Sequence, residues 1–469
     1  METEKSMTKG VKILLGDPKK AILKLSAPMM MAMLLQAVYN IADGIWVAGL
    51  GADQLAAVGL FFPFFIIIVA LGAGLGVGGS SAISRRIGEG NKKAAENTAA
   101  HTILFSVGLA LVISLAALPF TGGLFLSLSG NGEVGSMAAD YALILFSGAS
   151  ILVFSHIANA ILRGEGAAKK AMYGLALGSG LNIVLDPLFI YGFKLGVVGA
   201  AWATLVSISV SAVLFSYWLF FQKKTYLRIT FKDFKLDTGV LKEILSVGFP
   251  SSLAQLSMSL AMVILNVVVI KAGGTDGVAV FTSGWRIVML GTIPLLGMAT
   301  GVVSVTGAAF GAKNKYKLKT AFFYAVKIGV LIELAVGILV AVFAGQISYI
   351  FSYSKEASRI QEQLVVFLRV TAIFYPAVPL GMLTSAMFRG VGKGTRSLIV
   401  TVFRTIVLQV PICYLLGITF GLGLIGVWMG IVTGNVVAVA ITFYWGRYTV
   451  EHVIEKSGGS AGAGPGRRV

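Results

Sequence analysis

Charge is scarce in this chain: Asp, Glu, Lys and Arg make up 12% of its 469 residues, against roughly 25% in a soluble domain. With 57% of the residues hydrophobic, too little polar surface remains to coat a core in water, which excludes a soluble enzyme or a soluble binding module. Cysteine is almost absent. Cys413 stands alone, so a disulfide within the chain is excluded. Three histidines give no cluster at metal-ligand spacing, and no Gly-x-x-x-x-Gly-Lys-Ser/Thr loop occurs. The run from Gly72 to Gly79 lies inside an apolar stretch rather than opening a helix after a strand. Catalysis, ATP-driven pumping and a bound cofactor are therefore not expected.

What is present is a series of long apolar runs. Ala57 to Ile83 and Leu422 to Trp445 are each long enough to cross a hydrocarbon layer of ~30 Å as a helix, and helices satisfy every backbone group where there is no water. Apolar length and turn residues predict spans over 20–49, 55–84, 97–120, 136–162, 170–192 and 196–221. A second set follows over 240–270, 277–310, 319–343, 361–388, 397–418 and 424–446. The two sets repeat at an offset of ~222 to 227 residues. Pro28 matches Pro250, Gly88-x-x-Asn91 matches Gly311-x-x-Asn314, and Arg163-Gly164-x-Gly166 matches Arg389-Gly390-x-Gly392.

Six helices per copy bring both copies into the membrane from the same side. The expected fold is thus an all-α membrane protein of twelve transmembrane helices, in two six-helix lobes related by a pseudo-two-fold axis along the membrane normal. Residues 1–222 form the first lobe, 223–239 a linker, 240–448 the second lobe and 449–469 a disordered tail rich in Gly, Ala and Pro. The net charge of +18 is not a nucleic-acid footprint, because roughly 30 of the 38 Lys and Arg fall in the N-terminus, alternate loops and the C-terminus, against about four in the intervening loops. That asymmetry places both termini in the cytoplasm of a cell-membrane protein. A monomer in the lipid bilayer is expected.

Ionisable groups inside spans are costly and so informative. Asp43 shares a helix face with Gln36, Tyr39 and Asn40, and Asn182 lies one turn before Asp186. Thr204 with Ser207, and Asn159 with His156, give two further polar faces. Facing one interior, these stripes make a polar cavity in the first lobe. Two carboxylates in a low dielectric cannot both stay charged cheaply, which is the chemistry of a proton carrier. The same carboxylates, the Asn182 amide and the Thr204 hydroxyl also make an oxygen set for a monovalent cation, and Pro187 frees the carbonyl of Ile183. The alternative is that Asp43 and Asp186 serve only as interhelical hydrogen bonders. Met258, Met262, Phe154 and Tyr39 supply an adaptable apolar lining. In the second lobe Arg286, Lys327, Glu333, Arg369 and Arg404 read as helix-end or ion-paired groups rather than a second ion site, and Glu333, the one acidic residue well inside a span, is the candidate there if a second site exists.

These residues resemble the multidrug and toxic compound extrusion family, in particular its DinF-type archaeal and bacterial branch, from about Asp17 to Arg447. Leu25-Ser26-Ala27-Pro28, Tyr39-Asn40-Ile41-Ala42-Asp43, Leu162-Arg163-Gly164-Glu165-Gly166, Gly180-Leu181-Asn182-Ile183-Val184-Leu185-Asp186-Pro187 and Gly196-Val197-Val198-Gly199-Ala200-Ala201 carry the likeness. The resemblance implies a non-enzymatic antiporter that exports amphipathic, often cationic drugs in exchange for H⁺ or Na⁺. It also implies a cation site at Asp43, Asn182, Asp186 and Thr204, a hinge at Pro28, and Tyr39, Tyr141 and Asn159 lining the cavity. The NorM-type branch carries acidic residues in its seventh and tenth helices. This chain has Gln255 and Asn266 in the seventh and only Glu362 at the edge of the tenth. A lipid or lipid-linked oligosaccharide flippase of the same superfamily is the alternative function.

Overall fold

The computed structural model describes residues 7–130, 132–222, 224–232, 234–352 and 358–459. Among these there is no strand. A short helix α1 (Lys9–Leu15) precedes the first lobe, which comprises α2 (Pro18–Ala48), α3 (Ala52–Gly88), α4 (Lys92–Ser129), a pair bent by 50° formed of α5 (Gly132–Ser147) and α6 (Ala149–Gly164), α7 (Ala168–Gly192) and α8 (Gly196–Phe221). In the second lobe Thr238–Gly291 is broken at Gly273 and Gly274, which leave helical geometry, while Thr292 stays helical and joins it to Ile293–Gly311. The spans there are α9 (238–272), α10 (275–311), α11 (Lys315–Val342), the short α12 (Ala344–Ser352), α13 (Ser358–Gly390), α14 (Gly394–Thr419) and α15 (Gly423–Gly459). With α5 and α6 as one bent span, this makes the twelve-span, two-lobe fold expected from the repeat.

Side chains at the turns set where helices start. Asn91 and its repeat counterpart Asn314 cap α4 and α11, accepting from the N–H of Ala94 at 3.0 Å and of Lys317 at 2.9 Å. Asp17 and Asp237 do the same for α2 and α9. Most spans exceed the expected ones by a few residues, because capping lies outside the apolar run. At the other extreme α15 continues through 449–459, where a disordered tail was expected. Ion pairs of Lys315 with Glu455 (2.6 Å) and Lys319 with Glu451 (3.7 Å) hold it against α11. The remainder of the expected tail, 460–469, lies outside the described residues.

The lobes meet through backbone. A β-carbon added at Gly88 would stand 2.0 Å from the carbonyl oxygen of Ala308, and one at Gly311 would stand 2.0 Å from that of Arg85, a reciprocal pair across the pseudo-two-fold axis. The same symmetry places Ser304 Oγ as donor to the Arg163 carbonyl (3.0 Å) and Ser81 Oγ as donor to that of Arg389. Further from the ends, Gly78 abuts the carbonyl of Ile244, Gly74 that of Gly248, and Gly297 the backbone of Met30. One asymmetric lock is added: Arg85 and Arg86 of α3 clamp Glu243 of α9 at 3.0 and 2.8 Å. Among the described residues, these approaches all lie in the half of the bundle nearer the chain termini. In the other half no glycine among the described residues abuts the opposite lobe, and Asn40 of α2 and Met258 of α9 are exposed, so contact between the lobes thins out in that direction.

The linker is strapped to the first lobe. Buried Glu165 accepts the N–H groups of Tyr226 and Leu227, both at 3.1 Å, Glu96 accepts that of Arg228 at 2.9 Å, and His101 Nε2 that of Asp237 at 2.8 Å. Burial pushes the Glu165 carboxyl up to about 7 against the pull of these amides and of Lys170. This docking is the site sequence reasoning missed, since no periodicity marks an acceptor for an irregular chain.

The reciprocal glycine contacts leave no room for a side chain. Gly88→Val and Gly311→Val should each spread the lobes at the terminal end, read as longer distances between spin labels on Lys93 and Tyr316 by pulsed EPR. Unchanged distances in both variants would show that the seam does not hold that end shut.

Candidate functional site

The first-lobe polar residues converge away from the seam. Asp43 sits on α2 and Asn182 and Asp186 on α7, the two helices packing along their length, while Thr204 comes from α8 and Tyr141 from α5. Asp186 is completely buried, Asn182 and Thr204 nearly so, and Asp43 is half-buried, on the side where contact between the lobes thins out. The two carboxyl groups approach each other within hydrogen-bonding range. No hydrogen bond of good geometry reaches either oxygen of Asp186 or Oδ1 of Asp43, although the Asn182 side chain lies close beside Asp186. A contact between two carboxyls is attractive only when a proton or a metal ion lies between them; as two bare anions it is repulsive.

The surroundings supply oxygen rather than positive charge. Tyr39 and Tyr141 lie within electrostatic reach of both carboxyls. Asn182 Nδ2 donates to Thr204 Oγ1 at 3.4 Å, its amide oxygen has no partner, and its side chain lies close beside Asp186. Pro187 gives no N–H to the Ile183 carbonyl, and the N–H of Leu188 donates to Leu185 instead. Phe61 packs edge-on against Tyr141, with ring centroids 5.5 Å apart, and fixes its ring. The set of two carboxyls, an amide oxygen and a hydroxyl, with no competing Lys or Arg in contact, suits H⁺ or a hard monovalent cation such as Na⁺.

The remaining expected residues occupy other levels. Tyr39 is half-buried and shares the site, Gln36 is half-buried a turn nearer the seam, and Asn40 is exposed where contact between the lobes thins out. Met258 of α9 is 45% exposed, whereas Met262 packs against the core. Asn159 is buried and committed: its amide donates to the Ala171 carbonyl at 2.9 Å and its oxygen accepts from Arg163. It joins α6 to α7 and is not brought to the carboxyl pair. Pro28 lies within an unbroken α2.

A family model described as MatE matches residues 28–188 and 250–415, one copy of the repeat each. Multidrug export protein MepA of Staphylococcus aureus strain MRSA252 is 28% identical over 405 residues, 86% of this chain and 88% of that protein. A MOP superfamily transporter from Pyrococcus furiosus, described as having a binding pocket of reverse polarity that suggests a different function, is 54% identical with a TM-score of 0.92, covering 95% of this chain and 99% of the other. The outward-facing conformation of a multidrug resistance MATE family transporter of the same superfamily gives 54% identity and a TM-score of 0.92, over 95% of this chain and 98% of the other.

A carboxyl pair lacking hydrogen bonds of good geometry is a cost to the fold, whereas a satisfied interhelical hydrogen bond is a gain. In ion-free buffer above neutral pH, Asp43→Asn supplies an N–H donor to Asp186 and should stabilise the protein by about 1 to 2 kcal/mol. A thermal-unfolding scan checks this, and a lowered melting temperature would mean that the acids are structural bonders.

Proposed function

Because the chain belongs to the MatE family, we propose that this transporter exports amphipathic, often cationic drug-like molecules in exchange for H⁺ or Na⁺ carried by Asp43 and Asp186. It is a multi-pass membrane protein and not an enzyme. The observation that carries the coupling reading is the facing pair of carboxyls lacking hydrogen bonds of good geometry, one buried and one at the edge of the open half. Relatives named as multidrug exporters support the substrate class.

The mechanism follows from what each group can do. In this reading the terminal end, rich in Lys and Arg, lies in the cytoplasm, and the cavity opens away from it toward the outside. A cation entering there meets Asp43 first and Asp186 behind it. Asn182 and Thr204 complete the oxygen set for Na⁺; for H⁺ the two acids share one proton. Either ion removes the repulsion between the carboxyls, so α2 and α7 can draw together, and this difference between loaded and empty states shifts the balance of the two lobe arrangements. Pro28, which gives no N–H to the Lys24 carbonyl, is where α2 bends most cheaply. A drug seated against Tyr39, Asn40 and Met258 competes with that closure. Relays through a second copy of the site are absent from this scheme, since Leu265 stands at the repeat position of Asp43 and the offsets of the flanking landmarks bring Ile412 or Cys413, neither of them an acid, to that of Asp186. The flippase alternative is not favoured, as acids rather than basic groups meet the open half.

The test is dye efflux from proteoliposomes under an imposed pH gradient and, separately, a Na⁺ gradient. Wild type should export dye under at least one gradient, and Asp43→Asn should lose most of that rate, at least tenfold. Equal export by the variant would remove the carboxyl pair from the mechanism.

A further inference from the structure

The second lobe buries an acid that the scheme above does not use. Glu333 lies well inside α11, fully buried, and no donor engages either carboxylate oxygen. The sequence suggested an ion pair or a helix-end position as an alternative; the structure provides neither among the described residues. Lys327 on the same helix, Lys24 on α2 and Arg369 on α13 are exposed, and Arg447, Glu451 and Glu455 of α15 are occupied at the terminal end. The one titratable group within electrostatic reach is Tyr375. It too is fully buried, and its hydroxyl has no partner.

The surroundings are shaped to bring these two together. Gly329 and Gly337 lie one turn before and one turn after Glu333 on the same face of α11, so the helix presents the carboxyl in a notch. A β-carbon at Gly329 would stand 3.0 Å from Pro379, and one at Gly337 would stand 3.0 Å from the Ala372 carbonyl oxygen and 3.3 Å from the Tyr375 side chain. From the other side Gly291 admits the ring, a β-carbon there lying 2.9 Å from the Tyr375 hydroxyl. The segment filling the notch is where α13 breaks into a 3-10 turn, Tyr375–Ala377. Pro376 cannot donate to the Ala372 carbonyl. An acid and a phenol within electrostatic reach of it are therefore buried near a helix break, beside a carbonyl deprived of its usual donor. The repeat position of Glu333 in the first lobe is buried Ala110, so this is no copy of the Asp43 pair.

We propose that Glu333 and Tyr375 form a second protonation site, in the second lobe, that binds and releases one proton independently of Asp43 and Asp186. An ionised carboxylate with no cation and no donor is not sustained in such surroundings, so in this conformation Glu333 carries the proton. When the broken segment of α13 moves off the notch and water enters, the O–H bond breaks, the proton leaves as hydronium, and the carboxylate accepts the Tyr375 hydroxyl in return.

The measurement needs no drug and so stands apart from the export reading. Infrared difference spectra of the reconstituted full-length protein are recorded through a pH titration, together with proton uptake in weakly buffered solution. A protonated-carboxyl band should be present in wild type and in Asp43→Asn with Asp186→Asn, lost in Glu333→Gln with one fewer proton taken up per chain, and shifted in its titration by Tyr375→Phe. A spectrum and uptake unchanged in Glu333→Gln would overturn the proposal. So would a band untouched by Tyr375→Phe, which would leave the acid without its phenol. If the Asp43 variants alone changed transport while this band persisted, the two sites would be shown to be separate.

Discussion

The reciprocal approach of α3 and α10, carbonyl against glycine on each side of the pseudo-two-fold axis, is the constraint on which the arrangement rests. In a bilayer, lipid tails are as apolar as the helices, so burial of apolar surface does not hold one lobe to the other. Contact must come from helices close enough for dispersion and for hydroxyl-to-carbonyl bonds, and only Gly, Ala and Ser allow that. Gly88, Gly311, Ser81 and Ser304 provide it in symmetric pairs. Such contacts are all or none, because a separation of an ångström forfeits much of the dispersion energy. The proposed alternation of the lobes therefore requires this seam to open, and the half of the cavity that water reaches would follow from it.

That geometry decides how exposed each acid is. With the terminal end shut, Asp43 is half-buried beside the open half and Asp186 is dry behind it. A charge on the inner acid has neither water nor a basic partner, so its state depends on what enters through the outer one. Helices α2 and α7 carry the pair and pack along their length, while α2 also packs on α10 of the other lobe. In the proposed scheme an ion that draws α2 toward α7 acts on the seam through one rigid helix, without a longer relay. The strapped linker fits this picture, being docked on Glu165, Glu96 and His101 of the first lobe.

Much of this was legible in the sequence, and the reason is the bilayer. Twelve spans and their duplication follow from apolar length and from landmarks such as Asn91 and Asn314, which the structure shows as matched helix caps. Asp43, Asn182, Asp186 and Thr204 stood out because polar groups are rare inside spans, and the structure brings them together. Other features were not legible. Asn159 carries the same signal as Asn182, yet its amide is spent on α7, which only the crossing of helices decides. Glu333 invited an ion pair, but whether a cation reaches it depends on rotation about the helix axis. The seam glycines look like any other of the 58 until their partners are known. The last helix outran its apolar stretch because Lys315 and Lys319 lie across from Glu455 and Glu451, a pairing distant in sequence.

The central claim is that an ion at the Asp43–Asp186 pair sets the position of the lobes. The most direct measurement is the distance between spin labels placed on the two lobes at the end away from the termini, for example at Leu55 and Lys271, recorded while pH and then Na⁺ concentration are varied. The account predicts a shift between two populations in wild type and a single, ion-insensitive population when Asp43 and Asp186 are both replaced by Asn. The same ion-driven shift in that double variant would contradict it.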